Sequence, residues 1–480
     1  MGCLLFTVYR LLFTVYCLPF TVHCLLLSDM SKILIIGAGA AGLSAARDLA
    51  VAGAQVEVLE ARERVGGRVY TIHDSSAVLP IELGAEFVHG KHPVLWEILT
   101  ETGAPFCEVT DRHWYFENGA LSKSHDFWSK LTALMDLMKS EEPDRSFKDF
   151  LQSLPDDEET RRAKAMASRY VQGFHAARID RIGVRGLIKA NQAEDEVGGD
   201  RSFRILGGYD TIMDALHEQA LERGAIFHLN TIAKELHWDK QRVQAVCAKG
   251  ESSRMFTASR VVITLPLGVL QADEDKSGTM HFLPRLPEDK RNAIRLLAMG
   301  QVIRIVLRFR SRFWEELDIP GTGGREDLEQ LGFIHYPEAP IPTWWTLLPV
   351  RAPMLVGWTG GFNAEKLITS GTRSGAIDPT QVLNAAIESL GQIFGIPEPK
   401  LRELLVASYT HDWHSDPFAR GAYAYLPVGG LEAQNELARP VDDTLFFAGE
   451  AMSVGHIGTV HGAIETGWRA AKQILNAEGV

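Results

Sequence analysis

From Ser31 onward the hydrophobic pattern begins as a strand, a turn, a helix and a second strand. Ile33 to Ile36 is an unbroken apolar run of strand length, and Gly37-Ala38-Gly39-Ala40-Ala41-Gly42 is a small-residue turn opening into an Ala-rich helix that runs to Gly53. Val56 to Leu59 reads as the next strand. Farther along, Val261 to Leu270 (VVITLPLGVL) and Gly300 to Phe309 (GQVIRIVLRF) read as strands, and Gly458-Thr459 opens the last helix. Between Glu141 and Thr160 the pattern changes to acidic helical stretches broken at Pro143 and Pro155. Solvated helix faces are the simpler reading of those acids, and a substrate-guiding lip is the alternative.

The first 29 residues follow another rule: CLLFTVY, RLLFTVY and CLPFTVH succeed one another in seven-residue units from Cys3. The apolar run Leu11 to Leu27 is interrupted by Pro19 and His23, has only Arg10 as a basic flank and leads to no A-x-A site, so it fits a signal peptide poorly. It is also short for a membrane span of about 20 residues, and no stable membrane insertion is expected. A tandem repeat read into the frame fits better, with Met30 as the expected start.

Composition bounds the class. With 480 residues, 46% hydrophobic and 23% charged, 43 Gly and 5 Cys, the chain is a globular protein of two or three domains and not a disordered, collagenous or disulfide-stapled one. Cys3, Cys17 and Cys24 lie in the repeat, which leaves Cys107 and Cys247 and fits a reducing, cytoplasmic setting. A formal charge of -12 argues against a broad nucleic-acid-binding surface and for attraction of cations.

The turn after the first strand carries the first chemistry. Gly37 permits a tight turn, Gly39 lets the backbone approach a pyrophosphate, and Gly42 lets helix and strand pack closely, while the helix N-terminus offers N–H groups to the phosphate. Glu60, 18 residues after Gly42, is placed to accept from ribose hydroxyls. Glu60 suits NAD and FAD equally. The loop that follows, Arg62-Glu63-Arg64-Val65-Gly66-Gly67-Arg68, adds a Gly-Gly-Arg turn able to reach a pyrophosphate from the other side, and Ile81 to Gly90 (IELGAEFVHG) brings a second small-residue strand end.

These segments, together with GGYDTIMDAL (Gly207 to Leu216), VVITLPLGVL, WHSDPFARGAYAYLPVG (Trp413 to Gly429) and LFFAGE...GTVHGAIETGWRAA (Leu445 to Ala471), resemble the flavin-dependent amine oxidase family, nearest to its polyamine oxidase branch. The resemblance implies an α/β fold: a Rossmann-like FAD-binding domain (30–90, 203–271 and 421–480) interleaved with an α+β substrate-binding domain (91–202 and 272–420), with 1–29 as an extension. It places FAD along Gly37, Gly39, Ala41, Gly42, Glu60, Arg62, Gly67, Arg68, Leu83, Gly84, Ile232, Glu450, Thr459 and Val460. No metal is implied.

At the reacting end the resemblance implies roles for His89, Arg304, Tyr423 and Thr459. Tyr423 matches the aromatic wall beside the flavin, while its usual partner ring aligns with Thr459, so that cage is half present. Thr459 also suits an ordinary N-cap. His89 matches a histidine at the substrate tunnel of polyamine oxidases. Arg304 stands where the family usually has a lysine that assists reaction with oxygen, and a planar, always-charged fork does not replace a compact ammonium. Relatives that bind FAD covalently do so through a cysteine ahead of the Tyr423 position. Here the segment is Gly421-Ala422-Tyr423 and no Cys follows Cys247, so non-covalent FAD is expected.

The expected activity is oxidation of a small amine by hydride transfer to flavin N5, hydrolysis of the imine, and reoxidation by O2 or another acceptor. An amine dehydrogenase, an L-amino-acid oxidase, a related desaturase, or a flavin-binding protein with little turnover are the alternatives. A histone demethylase is the weaker expectation, since no chromatin-binding domain precedes Met30 and no long coiled-coil insertion interrupts the substrate half.

Overall fold

The strand, helix and strand read from the first hydrophobic pattern are Lys32–Ile36, Ala40–Val51 and Gln55–Leu59. The computed structural model describes residues 31–123, 127–140, 142–250, 252–371 and 376–479, so the repeat and the expected start at Met30 lie outside the described residues. The three elements belong to a five-stranded parallel sheet, in the order Ile226–His228, Gln55–Leu59, Lys32–Ile36, Arg260–Ile263, Leu445–Phe447. The chain builds outward from Lys32–Ile36 on one side and then returns to its other side. That reversal leaves a crevice at the carboxyl ends of the strands, which is where doubly wound sheets bind ligands.

Both faces of this sheet are covered, so its strands are apolar throughout instead of alternating. Ile33 and Ile35 face a core shared with Leu43, Leu49, Ile212, Leu216, Ile464 and Ile474 from three helices, while Leu34 and Ile36 face Leu236, Val243, Phe447 and Met452. The three helices are Ala40–Val51, Asp210–Glu222 and Val460–Glu478. The last lies against the first so closely that a Cβ on Gly467 would sit 2.1 Å from the Ala41 carbonyl oxygen.

The VVITLPLGVL segment is not one strand, as the apolar run had suggested. The strand stops at Ile263 and a short helix runs from Leu267 to Leu270, because Pro266 cannot donate to a ladder and caps the helix instead. The strand His281–Leu283 pairs in parallel with Glu235–His237, joining it to the sheet built by 232–258.

A seven-stranded mixed sheet forms the other half, in the order Leu405–Thr410, Val302–Phe309, Met354–Gly360, Thr343–Trp345, Phe333–His335, His113–Glu117, Ala120–Lys123. Along Val302–Phe309, Ile303, Ile305 and Leu307 enter a core with the helix Pro379–Phe394, while Val302 and Arg304 face the opposite way, into a large cavity. The acidic stretch holds the helices Phe147–Ser153 and Glu158–Phe174, capped by Ser146 and Asp157.

Candidate active site and cofactor cleft

The crevice opens into one cavity of about 1880 Å3 that extends from the first strand-helix turn to the seven-stranded sheet. At the turn, Gly37 has φ of +104° and a Cβ on Gly42 would lie 1.9 Å from the Gly37 carbonyl oxygen, so this tight corner admits only glycine at both places. Gly39 has open space where its side chain would be, and no side chain caps the helix that follows. Its first N–H groups and positive dipole end therefore point at the cavity, as an anionic pyrophosphate requires.

Glu60 is fixed by accepting the Ala38 N–H at 2.7 Å and the Arg62 N–H at 2.8 Å, and burial raises its carboxyl despite those bonds. The Asn230 N–H donates to Arg62 and the Thr231 N–H to Glu60, which brings Ile232 beside them. The Arg62 guanidinium is tied to Asp416 at 2.9 Å. Burial alone would raise Asp416, but hydrogen bonds from His411 and Arg62 hold it well below the usual carboxylate range. Arg68 donates to the Ala422 carbonyl and to Glu450, both at 2.8 Å. Glu450 also accepts the N–H groups of Ala424 and Gly458, so it joins the Gly-Gly-Arg loop to the start of the last helix. Thr459 caps that helix by accepting the Gly462 N–H at 3.0 Å.

The structure thus brings Gly37, Gly39, Ala41, Glu60, Arg62, Gly67, Arg68, Leu83, Gly84, Ile232, Glu450, Thr459 and Val460 onto one cavity wall, with Gly42 buried behind it. An extended dinucleotide fits this set: an open glycine, an uncapped helix end, a fixed ribose-type acceptor, and a second helix N-terminus farther in.

His89, Arg304 and Tyr423 line the same cavity beyond Thr459. The Tyr423 hydroxyl donates to the Phe174 carbonyl at 2.7 Å, which fixes its ring against Gly458. His89 lies 3.2 Å from the Ser202 hydroxyl, edge-on to Phe174, and burial pushes its imidazole down to about 4, so it is neutral at ordinary pH. Tyr170, Phe174, Trp345 and Trp358 complete aromatic walls around this end.

Arg304 is not a solitary cation. It pairs with buried Glu86, approaches the Gly84 carbonyl at 3.4 Å and packs over Trp345. Arg204 binds the same carboxylate at 2.7 Å and donates to the Leu347 and Leu348 carbonyls. Burial pushes the Glu86 carboxyl up, yet the Arg304 and Arg204 guanidiniums more than reverse this and it sits below its ordinary value.

Sequence reasoning missed Glu86 and Arg204. The available signal was a single charge inside each of two apolar stretches, LGAEFV and SFRILGG. It also missed Glu194, a cavity-lining carboxyl that burial and then Asp195 push up to about 7, and the ring-to-ring packing of His92, His456 and His461 at 4.7 to 4.8 Å. Among the described residues no His, Cys, Asp and Glu group is arranged to hold a metal, and no helix is long and apolar enough to cross a membrane.

A family model described as flavin containing amine oxidoreductase matches residues 40–475. The chain is 30% identical over 475 residues to lysine-specific histone demethylase 1 homolog 2 of Oryza sativa subsp. japonica, across 93% of this chain and 57% of that protein. It is 28% identical over 476 residues to polyamine oxidase 2 of Arabidopsis thaliana, across 92% of this chain and 87% of that one. The chain therefore spans little more than half of the demethylase homologue and most of the polyamine oxidase. Cyclohexylamine oxidase from Brevibacterium oxydans IH-35A superposes with a TM-score of 0.74 at 21% identity, over 94% of this chain and 100% of that one. Putrescine oxidase bound to putrescine gives 0.74 at 21% identity, over 93% and 99%.

Proposed function

The chain belongs to the flavin-containing amine oxidoreductase family, and on that footing we propose that it oxidises a small, cationic, polyamine-like amine with FAD held non-covalently by 30–90, 203–271 and 421–480. The observation that carries this reading is the single cavity, in which the Gly39 and Glu60 cradle continues past Thr459 into aromatic walls. Bound FAD would supply the two-electron step, taking hydride from the carbon beside the amine and passing electrons to O2 to give H2O2.

The protein supplies the surroundings. Glu60 would hold ribose hydroxyls, the first helix N-terminus the pyrophosphate, and the N-terminus at Thr459 would favour the negative charge of the reduced ring by about 0.3–1 kcal/mol, more when buried. Tyr423, Tyr170 and Phe174 would strip water from the amine, which favours its neutral, reactive form. The imine that leaves hydrolyses in water. Because Arg304 is committed to Glu86, the second reading is an amine dehydrogenase whose acceptor is not O2. A methylated lysine side chain is a further amine to test, since a demethylase homologue stands among the relatives.

The test is anaerobic mixing of the yellow protein with spermine, spermidine, acetylated polyamines, monoamines, L-amino acids and a methyl-lysine peptide, followed by air. Bleaching by a polyamine supports the proposal, and slow recovery in air selects the dehydrogenase. No bleaching by any amine overturns it. Acid precipitation should leave the yellow chromophore in the supernatant, and a yellow pellet would refute non-covalent binding.

A further inference from the structure

Residues 411–420 come back to the cofactor cleft at the loop after Glu60, where Asp416 meets Arg62 from 354 positions later in the chain. Close packing fixes their backbone: a Cβ on Gly278 would lie 2.3 Å from the Pro417 carbonyl oxygen, and one on Gly268 2.4 Å from that of Arg420. The Trp413 indole N–H donates to the Leu83 carbonyl at 2.9 Å, a second tie to the cleft. Held there, the Asp416 side chain is only 5% exposed and both of its oxygens are used. One accepts from Arg62 Nη2 and from the Phe418 N–H, each at 2.9 Å, and the other lies 2.8 Å from His411 Nε2. His411 is itself held edge-on to Trp413 at 4.2 Å and to Tyr70 at 5.6 Å. Burial alone would raise the Asp416 carboxyl, but the His411 and Arg62 hydrogen bonds lower it and keep it ionised, so His411 Nε2 carries the proton.

A guanidinium has five N–H donors, and among the described residues Arg62 gives its side-chain hydrogen bonds to Asp416 alone. It lines the cavity with Glu60 and with Phe418, whose ring lies 5.4 Å from it. The acid that ends the second strand of a dinucleotide fold takes ribose hydroxyls, which puts the adenosine half of FAD at Glu60 and Arg62. We propose that Asp416, backed by His411, is the positioning residue for that half of the cofactor. The proposal rests on the FAD reading of the cleft.

Glu60 and Asp416 are rivals for one cation. Arg62 freed from Asp416 would swing onto the Glu60 carboxyl group and take the acceptor that ribose hydroxyls need. It would also lose its fixed place, so each binding event would have to order a long, flexible side chain. Asp416 prevents both outcomes: its charge draws the guanidinium off Glu60, and its hydrogen bond fixes the planar fork with the other donors left for nucleotide oxygens. His411 keeps the carboxylate turned toward Arg62 by holding its second oxygen.

The test reads cofactor release, with no amine oxidised. FAD-loaded protein is titrated with ADP, which carries the adenosine half alone, and displaced FAD is followed by its fluorescence. Asp416→Asn should weaken FAD and ADP alike by about 10- to 100-fold, the range of one hydrogen bond to a charged group. The visible circular dichroism of the flavin that stays bound should not change, since its ring is assigned to the Thr459 end. His411→Ala, at a position 27% exposed, should weaken both ligands less, and His411→Gln, which keeps an N–H donor, should recover most of that loss. In an Arg62→Gln background, Asp416→Asn should have no further effect. Unchanged FAD affinity in Asp416→Asn, a loss for FAD without one for ADP, or an equal loss with and without Arg62 overturns the proposal. Should Asp416→Asn not fold, the His411 pair decides, and a His411→Ala loss that Gln does not recover overturns it. An unaltered protein that carries no FAD instead overturns the cofactor reading on which it rests.

Discussion

Glu86 shows how much one carboxylate holds in place. Its side chain is 3% exposed and lies between Arg204 and Arg304, so removing its charge leaves two guanidiniums buried without a counterion. Glu86→Gln is expected to cost about 3–5 kcal/mol in urea denaturation, the range for breaking a buried ion pair from one side. The pH dependence has a definite sign. Because the folded carboxyl sits below its ordinary value of 4.5, its stabilisation is present above that pH and is lost as pH falls through the lower folded value. The gap between wild type and Glu86→Gln should therefore close on acidification, and a constant gap would contradict the assignment. Glu194 has the opposite sign. It stands in the last turn of the helix Val184–Val197, where there is no basic residue, and burial and then Asp195 push its carboxyl up to about 7. Stability tied to its proton is present below pH 4.5 and is lost as pH rises through about 7. Glu194→Gln should thus be more stable than wild type at pH near 8, with the difference vanishing toward acid, and calorimetry should give weaker binding of an unreactive diamine. Equal stability across that range would remove the buried-charge account of Glu194.

Among the elements, the last helix has the clearest dependence on a single cap. Thr459 accepts the Gly462 N–H and donates to the His456 carbonyl at 2.7 Å, tying the helix start to the loop before it. Thr459→Ala is expected to lower stability by about 1 kcal/mol and Thr459→Ser by much less, read by thermal unfolding. The flavin affinity of the Ala variant should fall with it, and an unchanged affinity would separate the cap from the cofactor site. This helix was legible in the sequence because its signals are local: a glycine, an N-capping threonine and a long amphipathic run. The first strand, turn and helix were legible for the same reason. The seven-stranded sheet was not, since its strands are drawn from residues 113 to 410 and two of its members are only three residues long. Pairing at such separations leaves no periodic trace in the sequence. The same holds for the site: Gly37, Gly42 and Glu60 announce themselves by spacing, whereas Asp416 meets Arg62 only across 354 positions of chain.

For the whole molecule, the formal charge of -12 matters where it is unpaired and near the substrate's path. Among the described residues, Glu117, Asp136, Glu159, Glu194, Asp195 and Asp200 line the cavity, where Arg162 and Arg169 already face Glu158 and Glu338 and Lys130 has a partner of its own. The low-dielectric aromatic walls focus that negative field, which raises the encounter rate of cations and does so more for a polycation than for a monoamine. Salt screens such steering over a Debye length of about 8 Å at physiological ionic strength, whereas contacts made inside the closed site are much less affected. Raising ionic strength from about 0.01 M to about 0.15 M should therefore lower kcat/KM for spermine several-fold, lower it less for a monoamine of similar length, and leave kcat unchanged for both. Parallel salt profiles for the two amines would mean that the acids at the cavity are solvated helix faces and that selectivity among amines is set by the shape of the aromatic end alone.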